Sequence, residues 1–159
     1  MASTTNVANL NASSLNGATF ASPGTIGGTT PGLVNATNFV TTSGNVYNQQ
    51  PNPTALTATA TLTIAQMLTN IITVTSSVAV TLTLPTGTLT DAGILSGALP
   101  TNGSFDWTII NLGSSTGAVT MAAGTSHTYV GSATVAIATS ARFRTRKTAA
   151  NTYVSYRLS

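Results

Sequence analysis

Charge is what this chain has least of. Asp, Glu, Lys and Arg together make up 4% of its 159 residues, against roughly 25% in ordinary soluble domains. Glu and Cys are absent, His occurs once, and the only acids are Asp91 and Asp106. Without cysteine the fold can use neither disulfides nor thiolate-bound zinc, and the redox compartment cannot be read. One His and two Asp are a thin inventory for a metal centre or an acid–base pair, so neither a metal nor another cofactor is expected. No stretch reaches the roughly 18 apolar residues of a membrane-spanning helix, and no membrane partner is expected. The segment 1–15 has neither the basic start nor the apolar run of a secretory leader.

The gap is filled by Thr, Ser, Asn, Gly and Ala. Thr, Ser and Asn are polar without being ionised. A surface made of them can be covered by a partner without stripping water from ions. That property suits a subunit held in an assembly and brings little to a freely diffusing enzyme.

Composition shifts at Gln50-Pro51-Asn52-Pro53. Residues 1–53 read as an extended arm, in which Leu10, Leu15, Phe20, Ile26, Leu33 and Phe39 stand as isolated apolar anchors in Asn-, Ser-, Thr- and Gly-rich chain. So few anchors bury too little surface to offset the entropy of ordering the arm. They are expected to bind neighbouring subunits instead.

Residues 54–159 read as a β domain. Ala58, Ala60, Leu62 and Ile64 alternate with threonines, and Val78, Val80, Leu82 and Leu84 do the same before Pro85-Thr86-Gly87. This period of two marks half-buried strands. Phe105, Trp107 and Ile109 form one strand face and Asp106, Thr108 and Ile110 the other. Further strands are expected at 71–75, 118–122, 127–130, 133–138, 141–147 and 152–158. Thr63 caps one helical turn over 64–69, and 88–99 is the one longer helix. The expectation is an all-β, jelly-roll-like sandwich of about eight short strands with one short helix, preceded by the arm.

Chemistry is hard to place on these residues. His127 could join Asp91 or Asp106 in a nucleophilic triad, but local packing within a strand accounts for it more simply. Asp91 suits the first turn of the 88–99 helix. Asp106 lies on the strand face opposite Trp107, which leaves the two acids a weak pair for glycoside hydrolysis. The glycines of Pro23-Gly24-Thr25-Ile26-Gly27-Gly28 lack the lysine and helix of a phosphate loop. No catalytic residue is expected.

All five basic residues, Arg142, Arg144, Arg146, Lys147 and Arg157, fall in the last eighteen positions. Alternation puts the first three on one strand face. A hairpin at Ala149-Ala150-Asn151 would bring Arg157 beside them. The cluster reads as a basic ridge, either solvated or in contact with an acidic protein. Aromatic interleaving for nucleic acid is thin, and no nucleic acid partner is expected.

Pro23-Gly24-Thr25-Ile26-Gly27-Gly28-Thr29-Thr30-Pro31-Gly32 and Phe39-Val40-Thr41-Thr42-Ser43-Gly44-Asn45-Val46 are similar to the linkers of phage fibre and virion-surface proteins. Leu62–Leu68, Leu82–Thr86, Phe105–Asn111, Phe143–Lys147 and Tyr153–Leu158 together resemble a capsid-associated β domain of tailed phages. The resemblance implies a jelly-roll-like domain, usually a homotrimer, on the outer surface of the virion at either capsid or tail, with no catalytic residues; on the capsid the partner would be the major capsid protein. A capsid decoration (cement) protein that staples neighbouring capsid subunits is the expected role. The alternative is a short tail-fibre or adhesin module that binds a host glycan through Trp107, Tyr129, Tyr153 and Tyr156.

Overall fold

A computed structural model of the chain describes residues 50–94 and 99–159. The arm anchors Leu10 to Phe39 lie outside the described residues. The β domain belongs to the second of two units, Tyr47–Ser159.

In chain order its elements are β1 (Thr54–Leu56), β2 (Ala60–Thr61), α1 (Ile64–Met67), β3 (Ile71–Val74), β4 (Val80–Thr83) and α2 (Gly87–Gly93). There follow β5 (Ser104–Asn111), β6 (Val119–Ala122), β7 (His127–Val130), β8 (Thr134–Val135), β9 (Ser140–Ala149) and β10 (Thr152–Arg157). The fold is mostly β, as expected, with ten strands among the described residues.

The strands form a six-stranded sheet, in the order β1-β3-β5-β9-β10-β7, and a four-stranded sheet, β2-β4-β6-β8. One apolar core lies between them. Ile72, Ile109, Phe143 and Tyr153 enter it from the larger sheet, and Leu82, Val119, Met121 and Val135 from the smaller. Trp107 stacks on Phe143 at the centre, with ring centroids 4.6 Å apart.

The pairing departs from a jelly roll, whose strands pair antiparallel. From β1 to β6 the chain changes sheet at every strand. Consecutive strands of one sheet therefore run the same way: β1, β3 and β5 are parallel, and so are β2, β4 and β6. Antiparallel pairing enters with β8 on β6 and with the β9–β10 hairpin, whose β9 lies against β5. The alternating pattern reports one buried face per strand and is silent on the direction of the partner.

Two expected elements are cut short. The alternating run 57–64 supplies only the two-residue strand β2, because the chain crosses between sheets just before it. There the Thr59 hydroxyl accepts from the Thr81 N–H at 3.0 Å, taking a ladder position with a side chain. The expected 88–99 helix is α2, which ends at Gly93. A Cβ on Gly93 would lie 1.8 Å from Ile64 Cγ2 of α1, so only glycine permits this approach.

The single turn α1 forms where Thr63 was expected to cap it. Thr63 Oγ1 accepts from Gln66 N–H, and Gln66 Oε1 accepts from Thr63 N–H at 2.8 Å, a complete capping box. It drives Ile64 and Met67 into the core. Thr63→Ala is expected to lower stability by about 1 kcal/mol, read from the urea midpoint.

Candidate functional site

Charged and polar side chains gather on the four adjacent strands β5, β9, β10 and β7, and alternation divides them between two faces. On β9, Arg142, Arg144 and Arg146 point outward, while Phe143, Thr145 and Lys147 point in. Asp106 of β5 pairs in register with Arg144 on the outer face. Its carboxylate accepts from Arg144 Nε at 2.7 Å, Arg144 Nη2 at 2.9 Å and Arg142 Nη2 at 2.7 Å. These bonds, above all those from Arg144, hold the Asp106 carboxyl below its usual range. Arg146 donates to the Asn102 side chain. A shallow depression of about 520 Å³ beside the cluster is lined by Gln50, Asn70, Ile71, Asp106, Thr108 and Arg142.

Two of the five expected ridge residues lie elsewhere. Lys147 has inward parity and is buried, its ammonium 2.5 Å from Asp91 Oδ1. Arg157 pairs in register with Phe143, on the inward side of the sheet, and donates to the carbonyls of Ser132 and Thr134. The ridge is therefore Arg142, Arg144 and Arg146.

Asp91 also sits differently from its expected place. It lies past the first turn of α2 and serves as a shared acceptor. Lys147 Nζ and Tyr153 Oη donate to its Oδ1, and Asn151 N–H donates to Oδ2 at 3.0 Å. The Lys147 ammonium first, and the Tyr153 hydroxyl next, bring its carboxyl down to about 2. Burial, together with the Asp91 carboxylate, pushes the Tyr153 phenol upward. The hub ties α2 to β9 and β10.

On the inward face a chain of hydrogen bonds crosses all four strands. Trp107 Nε1–H of β5 donates to Thr145 Oγ1 of β9 at 2.9 Å. Thr145 Oγ1 lies 2.7 Å from Ser155 Oγ of β10, which lies 2.9 Å from His127 Nε2 of β7. His127 Nδ1 is 3.0 Å from the Pro85 carbonyl oxygen. That oxygen can only accept, so Nδ1 carries the proton and Nε2 accepts from the Ser155 hydroxyl. The direction is then fixed throughout: Ser155 donates to His127, and Thr145 donates to Ser155. Trp107, Thr145, Ser155 and His127 are all fully buried. Burial lowers the His127 pKa to about 4, so the ring is neutral near pH 7.

Sequence reasoning set His127 against Asp91 or Asp106, but the structure gives it a serine and a backbone carbonyl. The Ser155–His127 pair has the spacing of a nucleophile and its base. Ser155 is sealed in the core, however, and its oxygen already accepts from Thr145. The segment Gly113-Ser114-Ser115-Thr116-Gly117 matches the spacing of a nucleophile elbow. It leads from β5 into strand β6 rather than into a helix, and Ser114 and Thr116 donate to the carbonyls of Ser76 and Ser77. Among the described residues no group of three or more His, Asp or Glu is placed to hold a metal ion. Of the four aromatic side chains proposed to stack on sugars, Trp107 and Tyr153 are core residues, whereas Tyr129 and Tyr156 are partly exposed.

No known protein family matches the chain, and no curated protein or solved structure proved significantly similar to it.

Proposed function

We propose that this chain is a non-catalytic structural subunit of a tailed-phage particle: a capsid decoration protein, homotrimeric, that staples neighbouring subunits of the major capsid protein on the outer surface. The observation that carries the reading is the employment of its few ionisable groups. Asp91, Lys147 and His127 hold secondary structure elements together, and Asp106 is clamped by two arginines. A chain that places its only acids and its only histidine in internal contacts is built for persistence rather than turnover. The uncharged arm and the resemblance of the linkers and strands to virion-surface proteins support the same reading. In it the two-sheet domain stands where the family has a jelly-roll-like head. The arms supply the stapling contacts, and several weak contacts per trimer add up to tight attachment.

Copy number on purified particles tests this. Quantitative mass spectrometry is expected to find on the order of hundreds of copies per particle, as repeated capsid sites require. A few dozen copies or fewer would move the chain to a tail fibre and favour the adhesin reading. Absence from particles would end both.

A further inference from the structure

The net charge of the chain, +3, is unevenly placed. Lys147 and Asp91 cancel within their hub, and Arg157 is turned to the other side of the sheet, against Ser132 and Thr134. The remaining two positive charges belong to the outer face of the six-stranded sheet, where three arginines surround one aspartate. Around them on β3, β5 and β10 lie Ile71, Thr108, Ile110, Val154 and Tyr156, all partly exposed. Arginine and tyrosine among aliphatic residues, with no lysine or glutamate, is the composition of a protein interface.

The arginines divide by role. Arg144 turns both Nε and Nη2 onto Asp106. Arg142 gives Asp106 only Nη2, and Arg146 gives Asn102 only Nη2. Each of these two therefore keeps its Nε–H and Nη1 donors unengaged by the domain's own described acceptors; they lie on different edges of the guanidinium, so each can give a carboxylate one charge-assisted hydrogen bond. Four residues apart on one strand face, they are spaced to meet carboxylates roughly 13 Å apart.

We propose that this face, centred on Arg142 and Arg146, docks an acidic patch on another protein. A second copy of the chain cannot supply that patch, because both its acids are already paired. Nucleic acid is a poor match: affinity built on counterion release draws on about 6–10 phosphate contacts, and this face holds three arginines. Anionic membrane surfaces recruit clusters of about 4–8 basic residues, more than this face holds. The proposal rests on the decoration reading only for who the partner is, namely an acidic surface of the capsid.

The test uses the full-length chain and immobilised poly-L-glutamate at low ionic strength, with duplex DNA and phosphatidylserine vesicles as competing probes. Wild type is expected to bind polyglutamate and to be released as salt screens the contact. Arg142→Ser/Arg146→Ser is expected to bind about tenfold more weakly. Arg157→Gln, which removes charge from another place, is expected to stay within about twofold of wild type. Asp106→Asn, which raises the local charge, is expected to bind at least as tightly as wild type. Thermal midpoints confirm that each variant is folded. The proposal is overturned if wild type does not bind polyglutamate, or if the double variant binds as wild type does. It is equally overturned if Arg157→Gln loses as much as Arg142→Ser, or if DNA or vesicles outcompete polyglutamate. Copy number is read on particles with the wild-type chain and polyglutamate binding needs no particle, so either reading can fail alone.

Discussion

Asp91→Ala is expected to destabilise the β domain by about 3 kcal/mol, at the lower end for breaking a buried ion pair, whereas Lys147→Met costs markedly less. The asymmetry follows from the geometry of the hub. Asp91 is the sole acid for a Lys147 side chain that is only 11% exposed, and it also accepts from Tyr153 Oη and Asn151 N–H. Truncating the acid leaves a largely covered ammonium without its counter-ion and strands two further donors. Truncating the lysine to methionine removes the charge together with its need for a partner, keeps most of the apolar stem, and leaves Asp91 with two donors. Urea unfolding of both variants near pH 7 compares them, and equal losses would show that Asp91 does not act as a hub. The acid limb gives a second reading. Asp91 has its carboxyl at about 2 when folded, against 3.8 for the free group. Its contribution is complete above pH 3.8 and is lost as pH falls toward 2. Asp91→Ala should flatten stability in that window.

How much of this was legible in the sequence depends on the range of the interaction. Strand parity was legible: it put Trp107 inward, Asp106 outward and Arg142, Arg144 and Arg146 on one face. The same parity turns Lys147 inward, where a buried ammonium needs an acid. Grouping it with its neighbours by charge alone hid that need. Asp91 lies 56 residues from Lys147, and nothing local marks them as partners, so a helix-terminus role looked sufficient. The face of Arg157 depends on the register of β10, which shifts at an irregularity between Thr152 and Tyr153. The winding of the sheets was not legible either, because alternation describes one strand at a time. The inward chain left a faint signal. Thr145 and Ser155 share parity with Phe143 and Tyr153, and buried hydroxyls among aromatics imply partners such as an indole N–H or an imidazole.

That inward chain makes stability sensitive to mild acid. His127 has a pKa of about 4 in the folded domain and 6.5 as a free group. Between these values the unfolded chain binds a proton that the folded domain refuses, so stability rises with pH across the interval. The contribution is complete above pH 6.5 and is lost as pH falls toward 4. The separation of the two values corresponds to roughly 3 kcal/mol at about 1.36 kcal/mol per pH unit. Protonation adds an N–H at Nε2 facing Ser155, which now donates there, so Ser155 must turn its hydroxyl back toward Thr145 and oppose the donor already aimed at it. The disturbance passes along β10 and β9 to Trp107, whose fluorescence reports it. Urea midpoints at pH 7.5, 6, 5 and 4.5 should therefore fall steadily in wild type. His127→Gln is expected to be about 1–3 kcal/mol less stable at pH 7.5, the usual range for a disturbed buried polar network, but nearly level across the same series. Asp91 titrates below this window, so Asp91→Ala keeps the wild-type slope between pH 6.5 and 4. A flat wild-type profile there, or one whose slope survives in His127→Gln, would assign the acid response to other groups and leave the chain from Trp107 to Pro85 a packing feature alone.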